Sequence, residues 1–148
     1  MLKNYTSEVP AVRSIQRIED MLITNGARQV LKDFDPDTRQ LSGLAFIIPV
    51  NGTDVPFRLP ARIDRVEAIL RSQRRRPPTE TQARTIREQA QRTAWKILCD
   101  WVDAQMALVQ LQQVDVCEVF LAYVYDVRKQ QTYYERIAAG GFKALEDK

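Results

Sequence analysis

The sequence contains no histidine. That absence removes the commonest general base, the Ser-His and Cys-His nucleophile pairs, and most zinc sites. Cysteine is scarce. Cys99 and Cys117 stand 18 positions apart, each inside an apolar pattern and without another soft ligand nearby. They read as reduced core thiols rather than as a disulfide or a zinc site. The five glycines include no phosphate-binding loop. No apolar run approaches the roughly 20 residues of a membrane span, and the opening MLKNYTSEVPAV lacks the charged region and apolar block of a signal peptide. The expectation is a protein of the bacterial cytoplasm with no membrane partner, no metal and no cofactor.

What is present suits one domain of ordinary composition. A chain of 148 residues, 45% hydrophobic and 28% charged, is long enough to bury a core without staples. The charge is unevenly placed. Between Arg58 and Lys96 stand eleven basic and four acidic residues, a net +7, which leaves −4 for the rest of a chain whose total is +3. A basic middle on an otherwise acidic body implies a local anionic partner.

Along the chain, Lys3 to Val9 reads as a short first strand ended by Pro10. Ser14 then caps a helix from Ile15 to about Asn25, with Ile15, Ile18 and Leu22 on one stripe. Asn25-Gly26 is a helix stop. Ala27 to Phe34 is the next strand, and Asp35-Pro36-Asp37-Thr38 a turn. Leu41 to Val50 is the clearest strand, with Leu44, Phe46 and Ile48 on one face and Ala45, Ile47 and Pro49 on the other. Asn51-Gly52 signals a hairpin into Val55–Leu59, where Pro56 favours an edge position. Pro60 opens a helix to about Gln73, buried through Ile63, Val66 and Leu70. The run SQRRRPP, Ser72 to Pro78, cannot continue it, because proline lacks the amide and clashes with the preceding turn.

From Thr79 to about Gln112 the spacing predicts one long helix, opened by a Thr79/Gln82 capping box. One stripe runs Ala83, Ile86, Ala90, Ala94, Leu98, Trp101. From Ala94 a second joins it: Trp95, Cys99, Val102, Met106. Both tryptophans are expected in the core. Lys96, Asp100, Asp103, Ala107 and Gln110 are left for solvent. A helix of this length, about 50 Å, exceeds the width of a domain with a radius of gyration of about 15 Å. Its basic end is therefore expected to project, bend or pack on another copy, which favours a homo-oligomer through this helix. Asp115/Glu118 and Thr132/Glu135 repeat the capping pattern before two short helices, Gly140-Gly141 ends the second, and Phe142 and Leu145 are expected to dock the tail. Between the helices, Tyr123 to Tyr125 reads as extended and Asp126 to Gln131 as a polar turn.

Several stretches resemble, in order, a group of small proteins encoded by bacteriophages and prophages. They are KNYTSEVP (Lys3–Pro10), SIQRIEDMLITNGA (Ser14–Ala27), PFRLPA (Pro56–Ala61), AWKILCDWVDAQMA (Ala94–Ala107) and EVFLAY (Glu118–Tyr123). The group's last block ends FLPY, whereas Ala122 stands here in place of proline. The resemblance implies a mobile-element origin and supplies no activity or catalytic residue.

Two acidic groups invite a metal reading. Asp33, Asp35 and Asp37 begin like a calcium loop, but Thr38 occupies the glycine position and Leu44 the glutamate position. Asp100 and Asp103 lie one helical turn apart without further ligands at a readable spacing, and Lys96 is set to pair with Asp100. The residues that stand out are basic: Arg58, Arg71, Arg74, Arg75, Arg76, Arg84, Arg87 and Arg92. Clustered arginines neutralise phosphates, and Phe57 with Arg58 offers a stacking surface on a strand.

The sequence thus predicts an α+β fold: a small antiparallel sheet of three to four strands packed against helices, with one long central helix in the C-terminal half. It divides as a sheet-plus-two-helix half (1–73), a basic linker loop (72–78) and a helical half (79–148). The expected activity is non-enzymatic binding of nucleic acid, single strands weakly preferred. A rival expectation is a protein-binding module, such as a phage inhibitor of a host defence enzyme.

Overall fold

The computed structural model describes residues 1–146; the expected helical half runs to Lys148, and its last two residues lie outside that range. The fold is α+β. In chain order it comprises α1 (Ala11–Thr24), β1 (Gln29–Phe34), β2 (Leu41–Val50), β3 (Thr53–Pro60), α2 (Ile63–Ser72), α3 (Glu80–Gln110), α4 (Val116–Val119), a 3-10 turn (Leu121–Tyr123), β4 (Tyr125–Asp126), β5 (Gln131–Thr132), α5 (Tyr133–Ala139) and a last 3-10 turn (Lys143–Leu145). No helix among the described residues is long and apolar enough to cross a membrane. Two compact units interleave along the chain. One joins Met1–Leu22 to Ala61–Met106; the other joins Ile23–Pro60 to the residues from Ala107 onward. The 72–78 loop lies inside the first unit.

In the first unit α1 buries Ile15, Ile18 and Leu22 as their spacing predicts. Its start differs from expectation. The Pro10 carbonyl accepts from the amides of Arg13 and Ser14, so the helix begins at Ala11 and Ser14 is a buried first-turn residue rather than the cap. Proline suits this entry because its fixed φ is helix-compatible and it has no amide to satisfy. In α2, Val66 packs with Ala90 and Ala94 of α3, and Leu2, Ile63 and Leu70 close over them. Helix α3 opens with the expected box: Gln82 N–H donates to Thr79 Oγ1 and Thr79 N–H to Gln82 Oε1. It closes in a Schellman turn, with Gln113 N–H on the Leu108 carbonyl and Gln112 N–H on the Val109 carbonyl. Gln112 takes the left-handed conformation (φ 59°) that glycine would usually supply. The deeply buried stripe of α3 is Ala90, Ala94, Trp95, Cys99, Val102 and Met106. Trp101 is only partly buried, contrary to expectation, because it lies to one side of that stripe.

The expected first strand is absent. Residues 3–6 form turns, with Asn4 at φ 60° and Ser7 N–H donating to the Asn4 carbonyl. This segment is held by a polar stripe of α3. Thr93 Oγ1 donates to the Asn4 carbonyl (2.9 Å), Gln89 Nε2 and Arg92 Nε donate to the Ser7 carbonyl (3.1 and 3.3 Å), and Asn4 Nδ2 donates to Asp100 (2.9 Å). Side chains on one helix face satisfy the backbone that a sheet would otherwise have paired. Lys96 and Asp100 are accordingly half-buried beneath the segment, and the solvent face of this half of α3 is left to Asp103, Ala104, Ala107 and Gln110.

In the second unit β1, β2 and β3 form an antiparallel meander in that order. The β2–β3 hairpin turns at Asn51-Gly52, both at positive φ, with Phe46 opposite Phe57 and Leu44 opposite Leu59. Leu44, Phe46, Ile48, Phe57 and Leu59 are buried on one face. Phe120, just past the capping box of α4, seats its ring edge-on against Phe46 (5.2 Å) and Phe57 (6.0 Å), which stack on each other at 5.2 Å. The sheet thus packs against the short helical segments of its own unit. Tyr123 belongs to the 3-10 turn, while Val124, bridged to Phe57, and Tyr125, paired with Thr132 in the small β4–β5 hairpin, are extended as expected. Phe142 meets the Tyr134 ring of α5 (6.3 Å between centroids) yet stays 45% exposed, and Leu145, 68% exposed, does not dock the tail.

Candidate nucleic-acid interface

The basic residues separate into two sets. Arg58, Arg71 and Arg92 are engaged. Arg58, on β3, pairs with Asp33 of β1 (Nε to Oδ2, 3.2 Å) and lies over the Tyr125 ring at 5.7 Å. Arg71 pairs with Glu67 one turn earlier on α2 (3.2 Å). Arg92 is half-buried and donates to Gln89 Oε1 (2.6 Å) and to the Ser7 carbonyl, so it clasps the N-terminal turns. Arg58 belongs to the second unit and the other site residues to the first.

Arg74, Arg75, Arg76, Arg84 and Arg87 are exposed. Arg74 Nη2 donates to Gln82 Oε1 (2.9 Å), which ties the loop to the α3 capping box. No ion pair engages Arg75, Arg76, Arg84 or Arg87 among the described residues. Pro77-Pro78 ends α2's continuation and delivers the chain to the Thr79 cap, so three consecutive arginines precede the opening turns that carry Arg84 and Arg87. Their exposure follows from local sequence: only Ala83 and Ile86 of these turns offer apolar surface, and both are partly buried.

The carboxylates that suggested metal chemistry are otherwise employed. Asp35 Oδ1 accepts from the amides of Asp37 and Thr38 in an Asx turn. The backbone amide of Thr38, then that of Asp37, holds its carboxyl below the usual value. Asp33 is the Arg58 partner. Asp100 accepts from Asn4 and from Lys96 (2.9 Å), with Lys3 at 3.6 Å. Burial pushes the Asp100 carboxyl up, but the hydrogen bonds from Asn4 and Lys96 and the charges of Lys96 and Lys3 outweigh it and lower the pKa. Asp103 pairs with Arg17 of α1 (3.1 Å). No cluster of three or more potential metal ligands occurs among the described residues.

Comparison adds no family. No protein-family model, curated protein or solved structure matches this chain.

Phe57 cannot serve as the expected stacking surface. It is 1% exposed and locked between Phe46 and Phe120, because its parity on β3 sends it to the core and sends Pro56 and Arg58 to the opposite face. Sequence reasoning missed that opposite face. There Leu31, Ala45, Ile47, Pro56, Tyr125 and Val127 line a shallow cavity of about 230 Å³ with Arg58 and Asp33. The signal was available in the alternation of β2, whose second face is as apolar as its first.

Proposed function

We propose that this chain is a non-enzymatic accessory protein, of the phage type its sequence resembles, that binds nucleic acid through the Arg74–Arg76 loop and the opening turns of α3. One observation carries the reading: Arg75, Arg76, Arg84 and Arg87 are exposed with no carboxylate partner among the described residues, while Arg71 is paired with Glu67 and Arg92 is held by the Ser7 carbonyl and Gln89. Guanidinium groups lacking a local countercharge gain most by meeting phosphates, and the released counterions drive association. Asp100 and Asp103, held in ion pairs, are poorly placed for acid-base work, which supports a binding role. A flexible single strand can bring phosphates to guanidiniums set on a loop and a helix edge. A rigid duplex meets only those that match its phosphate spacing, so single strands are weakly preferred.

Four phosphate contacts give a salt slope near −2.8 for a single strand, or about fifty-fold weaker binding at 200 mM than at 50 mM salt. Fluorescence anisotropy with a labelled twenty-nucleotide thymidine strand and a twenty-base-pair duplex measures this. Arg75→Gln with Arg76→Gln should lower the slope by about 1.4. Absence of binding at 50 mM salt, or a salt-independent affinity, refutes the reading. A bacterial protein co-purifying stably after nuclease treatment, with no oligonucleotide affinity, would establish the protein-binding module instead.

A further inference from the structure

The solvent face of the three-stranded sheet carries a shallow groove with a charged pair at one end. On this face the cross-strand rows run Gln29–Ile47–Pro56 and Leu31–Ala45–Arg58, and then Asp33–Gly43–Pro60. The floor is apolar and open: Leu31 is 62% exposed and Val127 68%. Gly43, with no side chain, stands between β1 and β3 where the Asp33–Arg58 pair crosses β2. Tyr125 forms the wall. Its strand is fixed by pairing with Thr132, by the Phe57–Val124 bridge and by Tyr133 N–H on the Val124 carbonyl (2.7 Å), so the ring is presented on a rigid mount.

The polar pair at the end of this groove decides what fits it. Arg58 Nε and Asp33 Oδ2 lie 3.2 Å apart, so one edge of the groove carries guanidinium donors beside a carboxylate acceptor. Both side chains are more than a third exposed. An apolar peptide side chain would cover the floor but leave these groups unmet. A flat heterocycle with a donor and an acceptor on one edge satisfies both while its face lies on apolar surface and the Tyr125 ring. The cavity is smaller than the roughly 300–1,000 Å³ that encloses drug-sized ligands, which suits one planar ring system. We propose that this face binds a single unstacked nucleobase bearing an exocyclic amine, the amine donating to Asp33 and the neighbouring ring acceptor receiving from Arg58. This assignment rests on the nucleic-acid reading and concerns a contact that only an unpaired base can make.

The test uses the full chain, methyl and amide NMR, and two probes, a cytidine pentamer and a thymidine pentamer. Leu31, Ile47 and Val127 methyl resonances should shift with the cytidine pentamer, which should bind tighter than the thymidine pentamer. Tyr125→Leu should weaken cytidine binding about tenfold, the worth of one base stack, without changing the salt slope, and Tyr125→Phe should bind as wild type. Asp33→Asn should erase the cytidine preference; should Tyr125→Leu disturb the hairpin, this variant still decides the matter. Arg75→Gln with Arg76→Gln should leave the sheet-face shifts at saturation. Shifts confined to residues 74–87, or methyl shifts with an apolar pentapeptide and none with cytidine, would overturn the site. The first of these results would leave the arginine reading standing. Sheet-face shifts together with a twenty-nucleotide-strand affinity and salt slope that the double arginine substitution leaves unchanged would instead remove the arginine reading and keep the base site.

Discussion

Thr93→Val is a direct probe of how the N-terminal turns are held. Thr93 is fully buried. Its hydroxyl donates to the Asn4 carbonyl at 2.9 Å and accepts from Gln89 Nε2 at 3.0 Å. Valine keeps the shape and removes both bonds. Gln89 retains the Ser7 carbonyl as a partner and the Asn4 carbonyl retains the Ser7 amide, so neither group is stranded. A typical hydrogen bond contributes about 1 kcal/mol net, so the two losses cost about 2 kcal/mol. Exchanging hydroxyl for methyl returns up to about 0.8 kcal/mol of burial. The net expectation is a destabilisation of about 1 kcal/mol, or a Tm lower by about 3 °C for a chain of this size. Urea denaturation gives the magnitude, and amide exchange gives the location. Protection at Tyr5 and Ser7, whose amides close the turns on Leu2 and Asn4, should fall in Thr93→Val and persist in Thr93→Ser. A valine variant as stable as wild type, with those amides still protected, would refute the proposition that α3 side chains stand in for a sheet partner.

Three further outcomes are expected. Phe120→Ala removes the ring that closes over Phe46 and Phe57 and should cost about 3–5 kcal/mol in chemical denaturation; a loss below 1 kcal/mol would mean that the ring trio is not the core of its unit. The Asp100 carboxyl is lowered in the folded state, so its contribution to stability is present above the unfolded carboxylate value near 3.9 and is lost as pH falls through the lower folded one. Asp100→Asn should therefore flatten the acid limb of stability measured from pH 6 to pH 2, and an unchanged limb would contradict this. Burial pushes the Cys99 thiol up, the charges of Arg17 and Lys96 opposing it weakly, and Cys99 is 1% exposed. Cys117 is half-buried, so a maleimide should label Cys117 first, and mass spectrometry showing Cys99 labelled at the same rate would refute its burial.

Local chemistry determined much of this protein. Strand β2 and its facing hairpin, the three capping boxes, the buried stripe of α1 and the exposed SQRRRPP loop follow from alternation, helical spacing and proline sterics, all of which act over a few residues. The exposure of Arg74, Arg75 and Arg76 was legible for the same reason. Tertiary structure decided whatever depended on distant partners. Lys3 to Val9 has a strand-like pattern, yet α3 supplies side chains where a neighbouring strand was needed. The eight arginines are alike in the sequence. Glu67 pairs Arg71 locally, one helical turn away, whereas Asp33 and the Ser7 carbonyl reach Arg58 and Arg92 only on folding; among the described residues no carboxylate pairs Arg75, Arg76, Arg84 or Arg87. The sheet's second face became a groove because Tyr125, far along the chain, comes to lie under Arg58. A period of two can tell that a strand has two faces, but only packing determines which one the core takes.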